Sequence, residues 1–163
     1  MTRVFLFGLL LAAALVQVTW APHLSVFGAF PNLVLLIVVG TTWLAGTRSG
    51  MWWAISGGLL LDLTAPGPLG PHALALLAGA YVSGFWSRNV EASSVIQPVL
   101  AAALATVIYS LVLIGSDDTL DLPVPPFGLA AGLTAAAVVY NAALMVPIAL
   151  ALRGMRSLRL EAA

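Results

Sequence analysis

The chain has no cysteine and no lysine. The first absence excludes disulfides, thiolate nucleophiles and cysteine-ligated metals, and is silent about compartment. Charge is scarce: only 7% of the 163 residues are Asp, Glu, Lys or Arg, against roughly 25% in soluble domains. Formal net charge is zero, so the sequence offers neither a basic face for nucleic acid nor an acidic tail. The two histidines, His23 and His72, sit near prolines without ligand spacing. A glycine loop with lysine for phosphates and a serine nucleophile elbow are both missing. The sequence therefore predicts no cofactor, no metal site and no catalytic set.

What remains is apolar. Hydrophobic residues make up 61% of the chain, more than a water-soluble fold of this size can hide, so the expected solvent is lipid. The length suits one integral membrane domain, residues 1–163, with no room for a second. The expected fold class is all-α: a polytopic membrane bundle of six transmembrane helices. The spans are read at residues 4–20, 31–46, 50–64, 71–87, 95–115 and 127–152. Each is near the ~20 residues that ~30 Å of hydrocarbon requires, though several are short. The first follows Arg3 and resembles a signal peptide. Its run from Val4 to Trp20 exceeds the usual signal core of about 7–15 residues, and Thr19-Trp20-Ala21 is a poor cleavage site, so it is read as an uncleaved span.

The breaks carry proline, glycine or charge. They include Pro22 and Gly28, a tight turn at Gly46-Thr47-Arg48-Ser49-Gly50, and the run from Pro66 to Pro71. Ser87 to Ser94 contains Arg88 and Glu91; Gly115 to Pro126 holds three aspartates and three prolines. Proline lacks an N–H and clashes with the preceding turn, so these segments are expected to be non-helical.

Orientation rests on arginine. With six spans, Arg3, Arg48, Arg88, Arg153, Arg156 and Arg159 all fall on one side, and Asp117, Asp118, Asp121, His23 and His72 on the other. The positive-inside rule then puts both termini in the cytoplasm. Five or seven spans would scatter the arginines. Trp43, Trp52, Trp53 and Trp86 near the arginine side, and Trp20 near the other, suit interfacial belts. Arg153-x-x-Arg156-x-x-Arg159 reads as an anchor near anionic lipid, or as a docking point for a cytoplasmic partner.

Asp62 is the outlier, an acid within Gly57-Gly58-Leu59-Leu60-Leu61-Asp62-Leu63. Counted from Arg48 at ~1.5 Å per residue, it lies about 20 Å across the membrane. A carboxylate there costs several kcal/mol unless paired, and the C-terminal end of its own helix opposes negative charge. The nearest source of donors is the next helix, with Gly70 as N-cap, Pro71 at the first position and free N–H groups beyond it. His72 is a second candidate partner. The expected role is a clamp on the span 3–span 4 hairpin; a proton, substrate or partner site is the alternative.

Small residues recur at four-residue spacing: Gly50, Ala54 and Gly58; Ala75, Gly79 and Ser83; Gly128, Gly132 and Ala136. Such stripes let helices approach closely in lipid; they are read as internal packing, with a docking groove for a partner's transmembrane helix as the alternative. Asn32, Asn141 and Gln17 are amides that need partners in lipid and are expected to bond between helices or to line a cavity.

Several features together resemble the MreD family of the bacterial rod-shape (elongasome) system. Phe30-Pro31-Asn32-Leu33-Val34-Leu35-Leu36 resembles its Pro-Asn-apolar entry to the second span, although some relatives carry a basic residue where this chain has Phe30. Gly57 to Leu63, then Leu69-Gly70 and Ala73-Leu74, resembles its most typical stretch. Tyr140-Asn141, Pro147 and Arg153 resemble the closing span. The resemblance implies a non-enzymatic scaffold in the bacterial cytoplasmic membrane. It implies direct binding of the bitopic protein MreC and complex-level association with MreB, RodA and its transpeptidase. It also implies a fold similar to the substrate-binding subunits of energy-coupling-factor transporters, which supplies a rival: a vitamin-uptake subunit with Trp20, Asn32, Asp62 and His72 converging at the outer end. A lipid-headgroup enzyme, a third possibility, lacks the residues. The candidate partner-binding or structural positions are Pro31, Asn32, Gly57, Gly58, Asp62, Leu69, Gly70, His72, Asn141 and Pro147.

Overall fold

The computed structural model describes residues 2–20, 23, 25, 28–65, 67–89 and 95–161, which form six helices. The helices are α1 (Thr2–Thr19), α2 (Leu33–Ala45), α3 (Thr47–Thr64), α4 (Pro71–Asn89), α5 (Ile96–Thr119) and α6 (Phe127–Glu161). The described residues form an all-helical chain. The breaks expected at Ala21-Pro22, at Pro66 and at 90–94 lie outside the described residues, as do the side chains of Arg3, Arg88, Arg156 and Arg159.

Two expected breaks are shorter than read. The turn at 46–50 is Gly46 alone, at φ +85°, with its N–H on Thr42 O at 2.9 Å. A positive φ is open to glycine without a Cβ penalty, so one residue ends α2 and the next starts α3. The acidic segment is helical as far as Thr119, and only residues 120–126, with Pro123, Pro125 and Pro126, leave the helix. Pro147 does not end α6, which continues to Glu161.

The 13-residue α2 is the axis of the bundle, packing against all five other helices. Its side chains from Val34 to Thr42 are buried except Ile37. Hydroxyls there bond within the helix, Thr41 Oγ1 and Thr42 Oγ1 both donating to Val38 O. Around α2, α3 packs on α4, α4 on α5 and α5 on α6, while α1 lies against α2 and α3. The ends of the helices alternate. Gln17, Asn32, His72, Asp117 and Ala130 gather at one end, and Phe5, Leu44, Ser49 and Leu152 at the other. Asp117, Asp118 and Asp121 belong to the first, hereafter the acidic end; Arg48 and Arg153 follow the second, the arginine end.

Close approach is built on glycine. A Cβ on Gly57 would stand 2.6 Å from Val34 Cγ1, one on Gly58 2.6 Å from the backbone N of Ala73, and ones on Gly50 and Gly84 would overlap Thr42 and Thr47. The stripes on α3 and α4 therefore serve packing, with Ala54, Ala75 and Ser83 buried. The stripe on α6 does not: Gly128 and Gly132 are exposed and have nothing within 4 Å of an added Cβ. Spacing alone reports a face, not its neighbour.

The outside is as apolar as the core. Phe127, Leu63, Val139, Trp52 and Phe85 are all more than 60% exposed. A soluble monomer rarely shows so much contiguous apolar surface. Helices α5 and α6 are long and apolar enough to cross a bilayer, while α1 and α2 are apolar but shorter.

Candidate functional site

A helix that starts inside an apolar medium has backbone N–H groups without intrahelical partners, and no water to take them. Two helix starts here have such N–H groups satisfied by side chains. At α4, Pro71 has no N–H to lose. Asp62, 3% exposed at the end of α3, accepts from the next two: His72 N to Oδ1 at 2.9 Å and Ala73 N to Oδ2 at 3.2 Å. Leu74 N returns to Gly70 O at 2.8 Å, with Gly70 at φ +122°. His72 Nδ1 adds a third contact to Oδ1 at 3.1 Å. A carboxylate accepts only, so Nδ1 carries the proton in that bond. Among the described residues, His72 Nε2 makes no hydrogen bond to a hydroxyl. The pair ties the end of α3 to the start of α4.

At α2, Asn32 is the N-cap, its Oδ1 accepting from Leu35 N at 2.9 Å. Gln17 of α1 accepts from Val34 N at 3.1 Å, and Asn141 of α6 accepts from Asn32 N at 2.9 Å. Asn141 is fully buried and also donates to Thr106 Oγ1 of α5 at 3.1 Å. Tyr109 of α5 lies beside the Asn32 side chain and meets the His72 ring edge-on, with centroids 6.2 Å apart. The two capped starts thus join into one polar hub linking all six helices.

Above the hub, at the acidic end, is a cavity of about 330 Å³. Gln17, Asn32, His72 and Asn141 line it; Asp62 lies behind His72. Trp20 is 68% exposed and not part of it. Of the other candidate positions, Pro31 and Gly70 shape the two helix starts, and Gly57 and Gly58 set the packing beneath them. Leu69 is exposed, and Pro147 is exposed on α6 outside the cluster.

Apart from Asn141, sequence reading did not assign the walls that α5 and α6 supply. Helix α5 contributes Thr106, Tyr109, Ser110, Leu113 and Asp117, and α6 contributes Ala130, Leu133, Thr134, Ala137 and Asn141. Both sets follow i, i+3, i+4, i+7, i+11, one face of a helix. That pattern of hydroxyls and small residues in apolar helices was the available signal.

Replacing Asn141 tests the hub. Asn141→Leu leaves the buried Asn32 N–H without an acceptor and is expected to cost about 1–3 kcal/mol, read as a lower melting temperature in detergent. An unaltered melting curve would remove Asn141 from the framework.

The model of the rod shape-determining protein MreD family matches residues 1–118, which takes in α1 to α4 and nearly all of α5. No match to a curated protein or to a solved structure was found. Nothing in these comparisons supports the vitamin-uptake alternative. The match covers more than half of the chain and includes Pro31-Asn32, the Gly57–Asp62 stretch and Gly70 to Ala73, the residues that build both helix starts. Together with the apolar exterior and two helices of spanning length, it makes this chain a membrane protein of the MreD family, the rod shape-determining proteins.

Proposed function

We propose that the protein is a non-enzymatic scaffold of the elongation machinery that binds MreC directly and, through it, helps organise peptidoglycan synthesis with MreB, RodA and its transpeptidase. The family match carries this reading. On this reading all six helices cross the bacterial cytoplasmic membrane and both termini are cytoplasmic, which the one-sided arginines support.

The surface best suited to a partner's transmembrane helix is a lateral groove near the arginine end. Helices α1 and α6 both pack on α2 but, among the described residues, not on each other. Between them is an apolar space of about 830 Å³. The small residues Gly40, Thr41, Ala45 and Ser49 line it together with Leu36, Ile37, Leu44 and Trp53, beside Phe5 of α1 and Leu152 of α6. Helices associate in lipid by such close packing on small residues, because apolar surface alone gives no drive.

Co-expression with MreC and purification in detergent tests this. The expected result is a stoichiometric complex, lost in Ala45→Trp, where Ala45 is an exposed lining residue, and kept in Leu111→Trp on the exposed face of α5. Equal recovery of MreC with both variants, each with unchanged melting, would move the contact elsewhere. No complex with the unaltered protein would count against the scaffold itself.

A further inference from the structure

The cavity at the acidic end is separate from the groove, and its chemistry is sided. We propose that it is a binding site for a small organic cation, an ammonium or guanidinium group carried by a free amine or by a basic side chain of a protein partner.

Its volume, about 330 Å³, lies at the small end of ligand pockets. Its floor is already fixed. Asn32, Asn141, Gln17 and Thr106 are each at most 8% exposed and locked in the hydrogen bonds of the hub, so a ligand would meet a preorganised surface. What stays unspent faces the space. His72 Nδ1 is held by Asp62, and in the Nδ1–H tautomer Nε2 is an acceptor. The hydroxyls of Ser110 and Thr134 line the wall without another partner among the described residues, and the half-buried carboxylate of Asp117 stands on it as well.

Among the described residues no arginine lines this space; Arg48 and Arg153 follow the opposite end of the bundle. Phe30, 45% exposed, and Tyr109 place aromatic rings on the same wall, and such rings attract cations. An anion would meet Asp117 with no compensating positive charge. A neutral amide would leave that carboxylate unpaired. A cation satisfies the carboxylate and the hydroxyls together.

The test uses the full chain in a neutral detergent and follows its melting temperature. Propylammonium and methylguanidinium are expected to give a saturable rise; propionate and propionamide at the same concentrations are expected to give none. Asp117→Asn is expected to raise the half-saturating concentration about tenfold, as for loss of one charge-assisted pair. Asp118→Asn, one residue away and not on the wall, is expected to leave it unchanged. Should Asp117→Asn fail to fold, Ala137→Leu fills the cavity with its charge intact and is expected to give the same loss. A capped glycyl-lysyl-glycine tripeptide separates the sources. Half-saturation at least about tenfold below that of propylammonium assigns a partner's basic side chain, and weaker binding assigns a free amine. Propionamide or propionate binding as well as propylammonium, or no saturable rise with either cation, would overturn the proposal. MreC is absent from every arm, so the outcome is independent of the scaffold reading.

Discussion

Asp62→Ala is expected to lower the melting temperature of the purified protein by on the order of 10 °C. The substitution removes the acceptor of His72 N, Ala73 N and His72 Nδ1 together. Asp62 itself is 3% exposed, so the two backbone groups lose a buried acceptor. A buried donor left alone costs about 1–3 kcal/mol, more when its partner was charged. Two such donors at one helix start amount to roughly 3–5 kcal/mol, comparable to breaking a buried ion pair. At about 2–4 °C per kcal/mol for a chain of this size, the shift is large enough to measure. Asp62→Asn keeps one acceptor oxygen and turns an N–H toward a backbone donor, so it is expected to fall between the two. A melting temperature within a degree of the unaltered protein for Asp62→Ala would remove the clamp. Loss of MreC recovery with unchanged melting would instead give Asp62 a direct role in the partner contact.

Gly58→Leu is expected to be at least as damaging, for a steric reason. A Cβ at Gly58 meets the backbone and Cβ of Ala73, whereas one at Gly57 meets mainly the side chains of Val34 and Leu10. Side chains can rotate away, but the backbone of α4 moves only by lifting α4 from α3. Lifting it also draws Ala73 N from Asp62, so the packing error and the polar loss are coupled. Overpacking costs typically 1–3 kcal/mol where side chains yield; here the expected result is failure to accumulate folded protein. Gly57→Ala, against movable side chains, is expected to fold with reduced stability. Size-exclusion profiles of the two variants, made side by side, check the ordering. A monodisperse, fully stable Gly58→Leu would show that α3 and α4 are not held this closely.

Much of the helix framework was legible in the sequence. Pro71, Gly46 and the apolar runs mark their helix ends because backbone geometry is local. Asp62 was legible as a problem, since an acid in an apolar run needs donors and the next helix start supplies the nearest ones. The extent of α5 and α6 was less so. Asp117 and Asp118 carry the helix on to Thr119, and Pro147 is accommodated within α6. A proline inside a long apolar helix removes one bond, while the continuing ladder and the packing of its neighbours hold the direction. The Gly128–Gly132 stripe shows the same limit from the other side: its spacing is right, and no helix is there to meet it.

By itself the sequence determined the solvent, the helical class, the segregation of arginine from aspartate and the carboxylate that needs a partner. These follow from composition, spacing and the cost of an unpaired charge, which depend on little beyond neighbours along the chain. Only the tertiary structure decided that Asn32, Gln17, Asn141, Thr106 and Tyr109 form one hub with the Asp62 clamp, and that a polar cavity stands above it. The bond from Asn32 to Asn141 spans 109 positions of sequence. A helical face can be read from periodicity, but which face it meets is fixed by the packing of six helices around α2.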